Sequence, residues 1–203
     1  MEEDVYRSIV KSSEGLYKEK GSKFISIAIP VLSEEDIRIH LEKIKKQYYD
    51  ARHHCYAYRL GEYHDKFRAN DDGEPSGTAG KPILGQIQSF ELTNILIVVV
   101  RYFGGTKLGA SGLITAYKTA AREAIESAEF IEKTIDDRYV IHFDYPMMNE
   151  VMRVFKEENI VNLEQDFQLD CKIHFNIRKT DSKRVFDRFK KIHQISIKNT
   201  EDA

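Results

Sequence analysis

The sequence predicts an α+β protein in two parts, and three observations carry that prediction. All eleven glycines lie at or before Gly112, and of the four prolines only Pro146 lies beyond residue 135, so backbone punctuation changes near that point. The run Ile95–Val100 is strand-length and apolar on both faces, as expected of a strand at the centre of a sheet. Beyond residue 135 the periodicities read strand, helix, strand, strand, helix, strand, the order of a ferredoxin-like sandwich. The expected domains are 1–134 and 135–203, joined by the charged segment Glu132–Arg138 (EKTIDDR).

Bulk properties exclude several classes. Thirty-one basic residues stand against 33 acidic ones, a net charge of −2, which argues against a broad nucleic-acid-binding coat but leaves room for a local basic patch. No stretch approaches the ~18 consecutive apolar residues of a membrane span. The N-terminus (MEEDVYRSIV) lacks the basic and apolar regions of a secretory signal. The two cysteines, Cys55 and Cys171, are far apart and suggest no disulfide framework. A soluble cytoplasmic protein is expected, with no membrane partner.

In the first part, Val5–Val10 and Lys23–Ile29 are strand-like, rich in β-branched residues between polar or glycine breaks. Ser33 is placed to cap a helix whose first turn holds Glu34, Glu35 and Asp36, where negative charge is favoured. Ile37, Leu41, Ile44 and Tyr48 then follow at helical spacing. Cys55–Leu60 reads as a strand and is followed by a long polar loop to Gly77. Thr78–Phe90 reads as a helix with Pro82 in its first turn. Ile95–Tyr102 is the central strand. Leu113, Tyr117, Ala120, Ala121, Ala124 and Ile125 mark a helix whose alanines permit close packing.

In the second part, Tyr139–Tyr145 is a strand, Met147–Glu158 a helix and Ile160–Glu164 a strand. Strict alternation at Leu169, Cys171, Ile173, Phe175 and Ile177 predicts the next strand, with the hairpin turn within Glu164–Gln168. Asp181–Lys191 is a helix and Ile195–Ile197 a closing strand.

Eight glycines fall between Gly73 and Gly112, all but Gly85 in two loops reading DDGEPSGTAGKP and RYFGGTKLGASG. Glycine concentrates where backbone takes positive φ or approaches another group closely. In the second loop, Gly104, Gly105, Gly109 and Gly112 lie between a buried strand and a helix. Converging N–H groups there suit an anion, with Arg101, Lys107, Lys118 and Arg122 near in sequence; a tight turn with close helix–sheet packing explains the same glycines. Adjacent Gly104 and Gly105 rule out the dinucleotide fingerprint GxGxxG. Gly80 and Lys81 suggest a phosphate-binding P-loop, but Pro75 and Pro82 occupy the positions that need glycine and a hydroxyl. Ser76 and Thr78 read as helix caps or as hydroxyls offered to a ligand.

His53, His54, His64, Asp65, Asp71, Asp72 and Glu74 resemble a metal or acid–base set, yet their spacing matches no compact zinc or calcium signature. His53 and His54, adjacent on a strand, point to opposite faces. No GxSxG nucleophile elbow occurs, and both cysteines read as core residues. Tyr56 and Tyr58 also read as core, whereas Tyr102 and Phe103, leading into glycines, are the better surface for stacking.

The runs ARHHCYAYRLG from Ala51, DDGEPSGTAGKPIL from Asp71 and VVVRYFGGTKLGASGLITAY from Val98 resemble the IMPACT/YigZ family over nearly the whole chain. The resemblance implies a first domain like domain 2 of ribosomal protein S5 and a ferredoxin-like second domain of the bacterial YigZ type. Both domain types are similar to C-terminal domains of a ribosomal translocation factor. Eukaryotic members restrain a translation-initiation kinase, largely through a further N-terminal domain. Here the family segment begins almost at Met1, which implies the bacterial two-domain form.

The expectation is therefore a non-enzymatic, translation-associated binding protein without cofactor or metal. It presents the glycine loops to RNA, the ribosome or a translation-related protein. Arg52, Arg101, Lys107, Lys118 and Arg122 would meet phosphates or acidic groups, with Tyr102 and Phe103 for stacking. Gly77, Gly80, Gly104, Gly105 and Gly109 would allow close backbone approach. The alternative is a metal-dependent enzyme acting on a phosphorylated or peptide substrate, with Asp71, Asp72 and Glu74 across a cleft from Arg101 and Lys107.

Overall fold

A computed structural model describes residues 4–161, 163–167 and 171–200 and divides the chain into two compact units. One spans Tyr6–Lys133; the other takes the chain from Thr134 onward together with Asp4 and Val5. Among the described residues no helix is long and apolar enough to cross a membrane.

The first unit is built on strands β2 (Ser13–Glu19), β3 (Ser22–Pro30), β4 (His53–Leu60), β5 (Lys66–Asn70) and β6 (Ile95–Tyr102). They form one antiparallel sheet in the order β2-β3-β6-β4-β5. The central position expected of Ile95–Tyr102 is observed, and Ile95 through Val100 are fully buried. Their alternation feeds two cores. Helix α1 (Glu34–Gln47) lays Ile37 and Ile44 against Ile27, Tyr58, Leu96 and Val98 on one face. Helices α2 (Gly80–Ser89) and α3 (Gly109–Glu126) cover the other, packing Ile83, Ile87, Tyr117 and Ala120 against Phe24, Cys55, Ile97 and Val99. Ser33 caps α1 as expected, its Oγ accepting from Asp36 N while the Asp36 carboxylate accepts from Ser33 N, both at 3.1 Å. The alanine face of α3 lies so close to β2 that a Cβ on Gly15 would meet Ala124 N at 2.5 Å.

Two strands of this sheet depart from the sequence expectation. β2 was not foreseen, and β5 lies within the stretch expected to be a loop. Both are edge strands with charged residues and no clean apolar alternation, which suits an edge that must not pair with other chains. Further on, the expected connection Glu132–Arg138 is itself strand. β7 (Phe130–Thr134) pairs with β1 (Val5–Ile9), and β8 (Asp136–Phe143) follows after one residue.

The second unit runs β8, a short 3-10 turn at Tyr145–Met147, α4 (Met148–Glu157), β9 (Glu164–Phe167), β10 (Cys171–Arg178), α5 (Lys179–Lys190) and β11 (Ile195–Asn199). The antiparallel order β11-β8-β10-β9 is the ferredoxin-like arrangement. Tyr139, Ile141, Phe143, Ile173 and Phe175 form its core with Val151, Phe155 and Phe189 from the helices. The strand expected at Ile160–Glu164 instead occupies Glu164–Phe167. Ile160 belongs to the helix ending: Asn159 takes φ +53° and Ile160 N donates to Phe155 O at 2.9 Å, a Schellman-type closure. Residues 164–167 of the expected turn are thus strand, while Gln168, and Leu169 of the expected alternation, lie outside the described residues.

Buried Asp4 accepts from Arg178 Nε at 2.7 Å, Arg178 Nη2 at 2.9 Å and Thr180 Oγ1 at 2.7 Å. The hydrogen bonds from Arg178 and then Thr180 pull its carboxyl down from 3.8 to about 2. A depressed folded pKa stabilises above the unfolded value and is lost as pH falls through the folded one. Asp4→Asn is therefore expected to lower stability at neutral pH and to converge with the parent chain near pH ~2. Acid-unfolding curves check this; a gap that persists unchanged at that pH would exclude the ion pair as its source.

A candidate anion-binding pocket

His53 on β4 and Arg101 on β6 are direct cross-strand partners, so their side chains leave the same face of the sheet side by side. The two glycine loops arrive over them. Together they enclose a pocket of about 470 Å³ lined by Arg52, His53, Glu74, Pro75, Arg101, Phe103 and Lys107, then by Leu108, Gly109, Ala110 and Leu113 where α3 begins.

The first loop takes its shape from Asp71. Its carboxylate accepts from the backbone N–H groups of Gly77 (2.8 Å), Ala79 (3.0 Å) and Gly80 (2.8 Å). The donors that a phosphate would use at the start of α2 are thus taken by an acid of the chain itself. Gly80 is required by packing, since a Cβ there would lie 2.5 Å from Asn70 N. Asp72 takes φ +40°, and its carboxylate accepts from His54 N at 2.6 Å. Its carbonyl faces His53 Nδ1 at 2.8 Å, so Nδ1 carries the proton and Nε2 is left as the acceptor in the neutral ring.

Glu74 points inward, accepting from Arg101 Nη1 at 2.6 Å and Tyr117 Oη at 2.8 Å, with both charged side chains below 8% exposed (7% for Arg101, 4% for Glu74). Cys55 Sγ lies 3.3 Å from that same Tyr117 oxygen. Burial pushes the Cys55 thiol up to about 12 and holds the Tyr117 phenol far above its ordinary value, so both are neutral at physiological pH. Cys55 and Cys171 are both buried, as a core reading requires.

The expected site residues converge only in part. Arg52, Arg101, Lys107, Phe103 and Gly109 meet at the pocket. Arg101 is held between rings, its Cζ 5.5 Å from the Phe24 centroid and 5.7 Å from that of half-exposed Phe103. Tyr102 faces the α1 side, where its hydroxyl donates to Asp50 at 2.7 Å; that hydrogen bond pushes its phenol up to about 12. Lys118 and Arg122 lie on the exposed side of α3 outside the lining, Arg122 paired with Glu126 at 2.7 Å. Gly77 and Gly80 turn their N–H groups to Asp71. Gly104 is wedged against Gly21, whose carbonyl carbon a Cβ would meet at 1.8 Å, while Gly105 and Gly109 take positive φ with open space around them. Of the acids in the enzymatic alternative only Glu74 lines the pocket, and among the described residues no three His, Cys, Asp or Glu side chains converge as metal ligands.

These features define a two-unit α+β protein, S5 domain 2-like in its first unit and ferredoxin-like in its second. Residues 20–125 match the model of the Impact N-terminal domain. The chain is 36% identical over 176 residues to an IMPACT family member of Haemophilus influenzae, covering 83% of this chain and 84% of that one. It is 38% identical over 140 residues to the IMPACT family member YvyE of Bacillus subtilis, covering 69% of this chain and 64% of YvyE. A crystal structure of a protein described as hypothetical superposes with a TM-score of 0.73 at 25% identity, covering 98% of this chain and 99% of that one. The chain belongs to the IMPACT family.

Proposed function

We propose that this chain is a non-enzymatic, translation-associated binding protein whose first unit, a domain ending near residue 134, meets RNA, the ribosome or a translation-related protein through the pocket between its glycine loops. The observation that carries the reading is the direction of the charges. The first-loop acids point into the fold, where each accepts hydrogen bonds from the chain, whereas Arg52, Lys107 and Phe103 are exposed around the opening. A translation-regulating role follows from the family to which the chain belongs.

The test is recovery of partners from lysate by the tagged full chain, with and without RNase, beside the Arg52→Ala, Lys107→Ala double variant. Ribosomal subunits or translation proteins are expected with the parent chain, and about tenfold less with the double variant, two charged contacts being lost. Loss on RNase treatment identifies RNA as the partner, and survival identifies protein. Equal recovery by both chains would remove the pocket from the proposal.

A further inference from the structure

The chemistry of the pocket wall narrows what it accepts, and this inference rests on reading the pocket as a binding surface. Its cationic part is formed by Arg52, Arg101 and Lys107, and its one carboxylate, Glu74, is already answered by Arg101. The 18-residue helix α3 begins at this wall with no acid in its first turn and no side-chain cap, so its positive end is not answered by a side chain. A second, independent feature is Arg101 itself, only 6% exposed: Nη1 is on Glu74, but buried Nε has no acceptor. A buried guanidinium with an unpartnered N–H is a rare and costly arrangement, and Glu74 answers its charge at one nitrogen only.

The remaining wall is apolar: Pro75, Phe103, Leu108, Ala110 and Leu113. Apart from His53, no neutral side chain of the lining donates or accepts a hydrogen bond. A nucleotide in this space would bury ribose hydroxyls and base edges against hydrocarbon, and each unpaired polar group is penalised. An apolar body carrying one anionic group has no such conflict.

We propose that the pocket binds a carboxylate on an apolar body, as in an aromatic or branched aliphatic acid or the free C-terminal residue of a polypeptide. The carboxylate accepts from the first N–H groups of α3, with Lys107, Arg52 and the guanidinium of Arg101 as counter-charges. The body packs between Leu108, Leu113, Pro75 and the exposed ring of Phe103. Capture of a chain terminus by backbone amides is an established mode of peptide recognition.

The test is titration of the full chain, followed through amide chemical shifts, with N-acetylphenylalanine, its C-terminal amide, AMP and inorganic phosphate. The acid is expected to bind with a dissociation constant on the order of 1 mM, shifting the amides of residues 105–113. The amide is expected to bind about tenfold more weakly, as is the acid to Lys107→Ala. Arg101→Lys keeps a charge for Glu74 but removes the planar guanidinium from the pocket wall, and is expected to lose about as much. A pentapeptide ending in free phenylalanine that binds more than about tenfold tighter than the acid identifies a polypeptide terminus as the source. Equal binding of the peptide and the acid identifies a small molecule.

Equal affinity for acid and amide overturns the proposal, as does no shift with any carboxylate. AMP or inorganic phosphate binding tighter than the acid overturns it in favour of a phosphate ligand. Should Arg52→Ala, Lys107→Ala abolish partner recovery while no carboxylate binds, the pocket keeps its role and only the carboxylate assignment falls.

Discussion

Asp71→Ala is expected to destabilise the first unit by about 4 kcal/mol, lowering its Tm by roughly 12 °C. One carboxylate satisfies three backbone N–H groups, and Ala79 and Gly80 are among the buried residues of the chain. Loss of a helix cap alone costs ~1–2 kcal/mol, and a buried N–H left without a partner adds ~1–3 kcal/mol. Burial acts against the Asp71 charge, but the N–H groups of Gly77, Gly80 and Ala79, with Lys81 nearby, outweigh it and hold the carboxyl below its ordinary 3.8. The stabilisation is therefore complete above pH ~4 and lost as pH falls below it. Asp71→Asn keeps one acceptor oxygen but turns an amide N–H toward backbone donors, so a loss of about 2 kcal/mol is expected. Neither variant should show the acid-dependent component of the parent. Urea unfolding from neutral pH to pH ~3 measures both effects, and a variant as stable as the parent at neutral pH would show that the loop holds its shape without Asp71.

Which parts of this structure were readable follows from the range of the interactions that set them. The central strand Ile95–Tyr102, the α1 cap at Ser33 and the ferredoxin-like order rest on local periodicity and capping, which a sequence displays directly. β2 and β5 were not readable because edge strands carry charge where alternation would otherwise show. Asp71 and Glu74 looked like cleft acids since their partners, at Gly80 and at Arg101 and Tyr117, are set by loop geometry and long-range packing.

Two placements were readable in principle. Tyr102 is adjacent to Arg101 on a strand, and a period of two puts it on the opposite face. Lys118 lies nine residues beyond Gly109, which at ~100° per residue is the far side of the helix. Recognising that turn needed the helix to begin at Gly109 rather than to be marked from Leu113. The convergence of Arg101, Lys107 and Phe103 was approached because all three lie in one glycine loop, whereas Arg52 joins them through the His53–Arg101 strand pairing. The apolar wall of Leu108 and Leu113 was hidden because one lies within a glycine loop and the other reads as an ordinary helix residue.

Glu74→Ala is expected to cost about 3–5 kcal/mol, the range for leaving a buried charge without its partner. Arg101 would keep its guanidinium over the Phe24 ring, with Nη1 newly unpaired beside an Nε that already lacks an acceptor. Tyr117, fully buried, would lose the acceptor for its hydroxyl. The pair Glu74→Gln with Arg101→Met removes both charges at similar volume, leaves Tyr117 an acceptor and is expected within about 2 kcal/mol of the parent. Denaturant unfolding of both single variants and the double gives the coupling energy, and a double variant as unstable as the sum of the singles would deny that the two charges support each other. The double variant also separates scaffold from site. It keeps Arg52, Lys107 and the start of α3 while lacking the buried guanidinium. If it folds yet loses partner recovery, Arg101 contacts the ligand; if recovery is retained, Arg101 serves the fold and the exposed cations carry the binding.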